Sequence, residues 1–278
     1  MRLCLAALFA VVLPHVLPQA ALATDPPLQM LESSLQVQGW EGVGRIDVGG
    51  RGFCTGALIS QRLVLTAAHC LFDKESGARV PDGDLVFRAG WRNGRAAAEG
   101  QVQRSAIHPR YTPEQGTDID NVAHDLALLE LSHPIRNLGV TPFEVYAEPR
   151  GGDQVGVVSY ARGRSEVPAL QERCQVIERD RSGVLMLSCN VDFGASGAPV
   201  FAISEGRAQI VSVVSAMGRG NVDGAQRQVS LGVSLGTRLE ELRAALDTSD
   251  RRFVRAPGPG SDAPREMSSG GGARFLRP

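Results

Sequence analysis

The sequence predicts an all-β fold, a loop-rich sandwich or barrel with one helix near its C-terminal end. Three observations predict it. Short apolar runs recur from about residue 42 to 237, with turn-forming clusters between them. Glycine and proline are plentiful, 32 and 16 of 278 residues, while aromatic residues make up only 5%. A helical spacing of leucines shows in a single late segment. Hydrophobic residues, at 43%, outnumber charged ones, at 21%, so a sizeable core is available and wholesale disorder is excluded. The formal net charge of −1 gives no basis for nucleic-acid binding by the chain as a whole.

The elements follow in order. Met1 and Arg2 make a short positive start, Leu3 to Leu13 is a continuous apolar run, and Ala21-Leu22-Ala23 fits a small-x-small cleavage pattern. Residues 1–23 therefore read as a secretory signal peptide cleaved after Ala23. The run is about half of the ~20 residues that a spanning helix needs, so no stable membrane insertion is expected once it is removed. Residues 24–41 read as a propeptide or as a lead into the first strand. The strand candidates include Ala57–Ile59, Leu63–Leu65, Leu85–Phe87, Leu126–Leu131, Val155–Ser159, Val184–Leu187, Val200–Ile203 and Ile210–Val214. Thr237–Leu246 sets Leu239, Leu242 and Leu246 at helical spacing, with Thr237 as N-cap and Glu240 completing a capping box, so a helix is predicted over 238–247. From Arg251 the composition turns to Gly, Pro and six arginines against two acids, which predicts a disordered tail over 251–278 of charge +4, beside −6 for residues 24–250.

Removing the signal leaves Cys54, Cys70, Cys174 and Cys189. An even number in an exported chain predicts two disulfides. Three pairings exist, and proximity favours Cys54–Cys70 with Cys174–Cys189. The spacings do not resemble paired CxxC ligands, so no metal is expected.

Three motifs carry chemistry. Leu65-Thr66-Ala67-Ala68-His69-Cys70 delivers an imidazole after a strand, and a neutral imidazole can take and return a proton near neutral pH. His124-Asp125-Leu126-Ala127-Leu128-Leu129 places a carboxylate at the mouth of an apolar strand, where it needs a donor such as a histidine Nδ1–H. Asp192-Phe193-Gly194-Ala195-Ser196-Gly197-Ala198-Pro199 sets a serine between glycines, with the N–H groups of Gly194 and Ser196 free to meet a developing oxyanion. Each motif alone also has an ordinary structural use. A base, its orienter and a nucleophile in one exported, β-rich chain are far more specific together.

These motifs resemble a trypsin-like, chymotrypsin-fold serine protease of the compact, glutamyl endopeptidase-like bacterial type. The phrases that carry the resemblance are Phe53-Cys54-Thr55-Gly56-Ala57-Leu58-Ile59, Val64-Leu65-Thr66-Ala67-Ala68-His69-Cys70, Asp125-Leu126-Ala127-Leu128-Leu129, Gly194-Ala195-Ser196-Gly197-Ala198-Pro199 and Ile210-Val211-Ser212. They span about residues 42–248. The resemblance implies two packed six-stranded antiparallel β-barrels, about 42–145 and 146–237, within a protease domain over 42–250. It implies His69, Asp125 and Ser196 as a catalytic triad across the cleft between the barrels, Gly194 and Ser196 as the oxyanion hole, and a protein or peptide substrate. It implies no cofactor, and nothing in it fixes an oligomeric state.

Two departures from the family matter. Ala195 stands where the family carries an acidic residue that pairs with a freshly cut N-terminus, and Gly44-Arg45-Ile46-Asp47-Val48-Gly49-Gly50 matches the family's activation site only loosely. Cleavage after Arg45 is therefore not expected to be the switch. Counting back from Ser196 without gaps places Asn190 where the family has the base of its specificity pocket, and the resemblance of Ile210-Val211-Ser212 to the strand that lines the substrate backbone implies Ser212, Val213 and Val214 along its wall. That reading disfavours cleavage after Arg or Lys and favours small or medium apolar side chains, though a register slip brings Ser215 and Ala216 to the wall instead. The competing functions are a catalytically inactive homologue acting as a binding module, and an esterase or acyltransferase using the same triad.

Overall fold

The computed structural model describes residues 25–254, except 116, 117, 147, 148 and 223. The signal-peptide expectation and the tail beyond residue 254 lie outside the described residues.

The chain enters through a short strand, β1 (Gln29–Met30), and a one-turn helix, α1 (Ser34–Val37), whose N-terminus Ser33 and Gln36 cap reciprocally. A closed barrel follows, built from β2 (Val43–Val48), β3 (Gly52–Leu58), β4 (Leu63–Thr66), β5 (Leu85–Ala89), β6 (Ala98–Ile107) and β7 (Ala127–Leu131). Its ring order is β2-β3-β4-β7-β6-β5. A second one-turn helix, α2 (Ile119–Val122), precedes β7. Ile46, Leu58, Val64, Leu85, Phe87, Leu129 and Leu131 fill the barrel interior. They come from strands that alternate inward apolar residues with outward polar ones, as Leu85, Phe87 and Ala89 do around Val86 and Arg88.

The second sheet comprises β8 (Gln154–Ala161), β9 (Arg164–Arg179), β10 (Val184–Leu187), β11 (Pro199–Ser204), β12 (Arg207–Val222) and β13 (Ala225–Ser234), with β1 added at the β9 edge. Pairing of β8 with both β11 and β9 joins β8 to β13 into a six-stranded ring. Val155, Val157, Val176, Leu185, Leu187, Val200 and Val211 pack inside it. The fold is thus the expected all-β arrangement of two barrels with a C-terminal helix. The apolar runs named in the sequence all fall on strands. Strands β1, β2, β6, β9 and β13 were not among them: β1 is two residues long, and polar residues interrupt the others, as Arg45 and Asp47 do on β2 and the exposed Glu172, Arg173 and Gln175 do on β9.

The last helix, α3 (Gly236–Val254), starts earlier and runs further than expected. Its first backbone bond runs from the Leu239 N–H to the Leu235 carbonyl, 3.2 Å, so Thr237 lies inside the first turn and is not the cap. Buried Leu235 fixes the entry instead. The expected face of Leu239, Leu242 and Leu246 is buried, against a cluster that includes Tyr160 and Phe201. Residues 251–254, expected in the tail, continue this helix. Disulfides join Cys54 to Cys70 and Cys174 to Cys189, one in each barrel. No helix among the described residues is long and apolar enough to cross a membrane.

Candidate active site

His69 sits on a 3-10 turn, Ala68–Leu71, directly after β4. Ala67 and Ala68 are fully buried, so their small side chains let the turn lie flat on the barrel, and Cys70 ties it to β3 through Cys54. Asp125 follows α2 and is only 3% exposed. A carboxylate this deep needs donors, and it has three. The His69 N–H donates to Oδ1 at 2.8 Å, His69 Nδ1 donates to Oδ2 at 2.6 Å, and the Ser215 hydroxyl donates to Oδ2 at 2.5 Å. With Nδ1–H spent on the carboxylate, the neutral ring keeps the lone pair of Nε2 for another proton.

Ser196 occupies the turn between β10 and β11, and barrel one holds it. The Thr55 N–H donates to the Ser196 carbonyl at 2.9 Å, and the Thr55 hydroxyl donates to the Gly194 carbonyl at 2.9 Å. The turn needs its glycines. Gly194 has φ +101°, and a Cβ there would meet the Phe53 ring at 2.4 Å. Gly197 has φ +79°, and a Cβ there would meet Thr66 Oγ1 at 2.1 Å and the Thr55 carbonyl at 2.3 Å. Among the described residues, the N–H groups of Gly194 and Ser196 make no hydrogen bond, whereas that of Ala195 is spent on the Asp192 carbonyl.

His69, Asp125 and Ser196 line one cleft of about 510 Å³ between the barrels. Phe72, Asp73, Lys74 and Tyr111 form its barrel-one wall, and Val191, Phe193, Val214, Ser215, Ala216 and Met217 its barrel-two wall. Burial raises the Tyr111 phenol pKa, and the Asp125 charge adds to the effect. Cys54 and Cys70 lie beside His69, but both sulfurs are spent on their disulfide, so no thiolate is present to hold a metal.

The specificity residues need correction. Asn190 is exposed and lines a separate hollow with Asp25, Pro26 and Gln171. Its N–H is tied to Gln171 Oε1 at 2.7 Å and its neighbour Cys189 is anchored to Cys174, which holds this stretch off the cleft. Ser212 is buried, donating to the Val233 carbonyl, and Val213 is packed inside; neither lines the cleft. Of that group only Val214 does. The reason is a bulge in β12: Val214 pairs with Gly232 and Ala216 with Leu231, leaving Ser215 as the extra residue. A bulge re-aims its side chain, here onto Asp125. Sequence reasoning brought Ser215 to the wall only as a register slip and gave it no bond to Asp125. The signal available was the need of a buried carboxylate for several donors.

Arg45 stands in mid-strand on β2, paired on both sides, with ion pairs to Asp47 at 2.7 Å and Glu166 at 3.0 Å. Ile46 is fully buried, and so is Ala195.

A family model of the trypsin-like peptidase domain matches residues 54–210, more than half of the chain. Glutamyl endopeptidase of Bacillus licheniformis is 29% identical over 157 residues, 56% of this chain and 47% of that protein. Human kallikrein-10 is 38% identical over 84 residues, 30% of this chain and 28% of that protein. Mouse serine protease 56 is 30% identical over 138 residues, 42% of this chain and 21% of that protein. The chain thus spans about half the length of the first relative and less of the others. A solved structure of Glu endopeptidase in complex with MPD superposes with a TM-score of 0.61 at 18% identity, covering 82% of this chain and all of that one, which shows a shared fold. The chain belongs to the trypsin-like peptidase domain family.

Proposed function

We propose that this protein is an exported serine endopeptidase. Ser196 attacks a peptide carbonyl, His69 Nε2 takes its proton and gives it to the leaving amine, and Asp125 orients the ring. Water then repeats the sequence on the acyl-enzyme. The observation that carries the reading is the threefold hydrogen-bonded Asp125 gripping His69 in the cleft that Ser196 lines. The uncommitted N–H groups of Gly194 and Ser196 support an oxyanion hole there. The two disulfides support an oxidising compartment.

Formation of the hole does not wait for N-terminal cleavage. Arg45 offers no accessible loop to cut, Ile46 is core, and the buried methyl of Ala195 has no charge to pair with a new ammonium. The lead segment belongs to the folded unit, since β1 pairs with β9 and the Trp40 ring packs against Phe201 at 5.1 Å. Val191, Val214, Ala216 and Met217 give the acyl side of the cleft an apolar lining, so cleavage follows apolar residues of medium size. Digestion of a mixed peptide library, with both new termini mapped, tests this. The expected result is apolar residues before the cut and no cutting by Ser196→Ala. Cutting dominated by Arg, or retained in the variant, overturns it.

A further inference from the structure

At Phe193 the cleft carries two cations that have no carboxylate partner among the described residues. Phe193 is 52% exposed on the barrel-two rim. Lys74 Nζ, from barrel one, lies 5.9 Å from its ring centroid, and Arg162 Cζ lies 4.4 Å from it. Lys74 is the only lysine of the chain. Neither cation has a carboxylate partner among the described residues. Two acids of the cleft, Asp73 and Asp192, are already engaged. Asp73 accepts from the Ser76 N–H and hydroxyl and from the Glu75 N–H, faces Arg51 at 3.4 Å, and is held below the usual carboxylate pKa chiefly by the Ser76 bonds. Asp192 accepts the Phe193 N–H at 2.7 Å, and its charge acts on Arg164. An aromatic face holds a cation in place without neutralising it. Elsewhere the barrel-two wall of the cleft is lined by apolar Val191, Val214, Ala216 and Met217.

We propose that Lys74 and Arg162, held on Phe193, form a subsite for an acidic side chain on the leaving-group side of the scissile bond. This rests on the endopeptidase reading: a substrate whose acyl half follows Ser215–Met217 carries its leaving half past Phe193. A carboxylate arriving there meets two positive charges that no carboxylate among the described residues pairs directly. Each contact is solvent-exposed, so its contribution is modest and sensitive to salt.

The test is equilibrium binding of fluorescent peptides to the full chain carrying Ser196→Ala. The peptides are identical except for Glu or Gln at the two positions after the scissile bond. At low ionic strength the Glu peptide binds about three- to tenfold tighter. The ratio shrinks at high salt, persists in Lys74→Arg and disappears in the double variant Lys74→Gln, Arg162→Gln. Chemical acetylation of the folded protein lowers the ratio and reductive methylation, which keeps the charge, does not; the same acetylation of Lys74→Arg, which leaves only the N-terminal amine to react, leaves the ratio unchanged. Equal binding of the two peptides, or a ratio that survives the double variant, overturns the subsite. Fluorophosphonate labelling of the parent separates the two ideas. Labelling without a Glu preference overturns this proposal alone. A Glu preference without labelling supports the acidic subsite and removes the catalytic reading.

Discussion

Replacing Ala195 by Asp restores the acid that the family usually carries before the serine, and here it is expected to do harm. Ala195 is fully buried in a cluster formed by Val155, Val157, Val191, Val200, Val211 and the Cys174–Cys189 disulfide. An ionised carboxylate placed there without a cation costs about 3–5 kcal/mol. For a domain of this size that lowers Tm on the order of 10 °C. The sign with pH is distinctive. Burial raises the folded-state pKa of the new Asp above its unfolded value near 3.9. The folded state then binds the extra proton across that window, so stability falls as pH rises through it, and the penalty is absent below about pH 4. Urea unfolding of Ala195→Asp in a Ser196→Ala background, at pH 4 and pH 7, measures both effects without self-digestion. A variant as stable as its parent at pH 7 would mean that an ammonium reaches this position, and the argument for a preformed site would fail.

Other expectations follow from the same contacts. Ser215→Ala removes a donor to a charged Asp125, about 1.5–3 kcal/mol, so steady-state kinetics should show kcat down roughly tenfold or more with KM little changed, and Ser215→Thr should recover much of it. Arg45→Gln removes the residue at which family-type activation would cut; it should lose stability through its pairs with Asp47 and Glu166, yet label with a fluorophosphonate as fully as the parent. His108 is 1% exposed, and burial first, then the His124 charge, lowers its pKa from 6.5 to about 4. The unfolded chain therefore takes a proton that the folded one refuses, so its contribution is complete above pH 6.5 and is lost as pH falls toward 4, about 3 kcal/mol in all. Urea midpoints between pH 4 and 7 should show this slope, and His108→Gln should flatten it.

Much of the fold was legible because barrel strands write themselves as short apolar runs. Leu85, Phe87 and Ala89 alternate inward, and Leu126–Leu131 is apolar on both faces, Glu130 apart, because Ala127, Leu129 and Leu131 pack inside the barrel while Leu126 and Leu128 pack outside it in the cluster that holds Leu239, Leu242 and Leu246. The disulfide pairing followed from proximity. Strands with one wet face, such as β9, left too few apolar residues in a row to be named. Within the site, His69, Asp125 and Ser196 stood out because each sits in a short local motif whose residue types the chemistry requires. Asn190 failed because it was placed by counting, and Ser212 and Val213 because they were placed by the likeness of Ile210-Val211-Ser212 to a family strand. A bulge at Ser215 adds one residue to β12, and a disulfide with a side-chain tie to Gln171 turns the Asn190 stretch aside. Neither feature leaves a mark in local composition. Ser215 shows the same limit from the other side: its role depends on Asp125, ninety residues away in the chain.

The central claim is that Ser196 is a nucleophile in a site that forms without N-terminal cutting. Its most direct measurement is intact mass spectrometry of residues 24–278, disulfides formed, after exposure to a fluorophosphonate, with the adduct mapped. The account predicts one adduct, on Ser196, in protein whose chain is uncut at Arg45, and none in Ser196→Ala. Folded protein that takes no adduct until it is cleaved after Arg45, or that takes none at all, would contradict it.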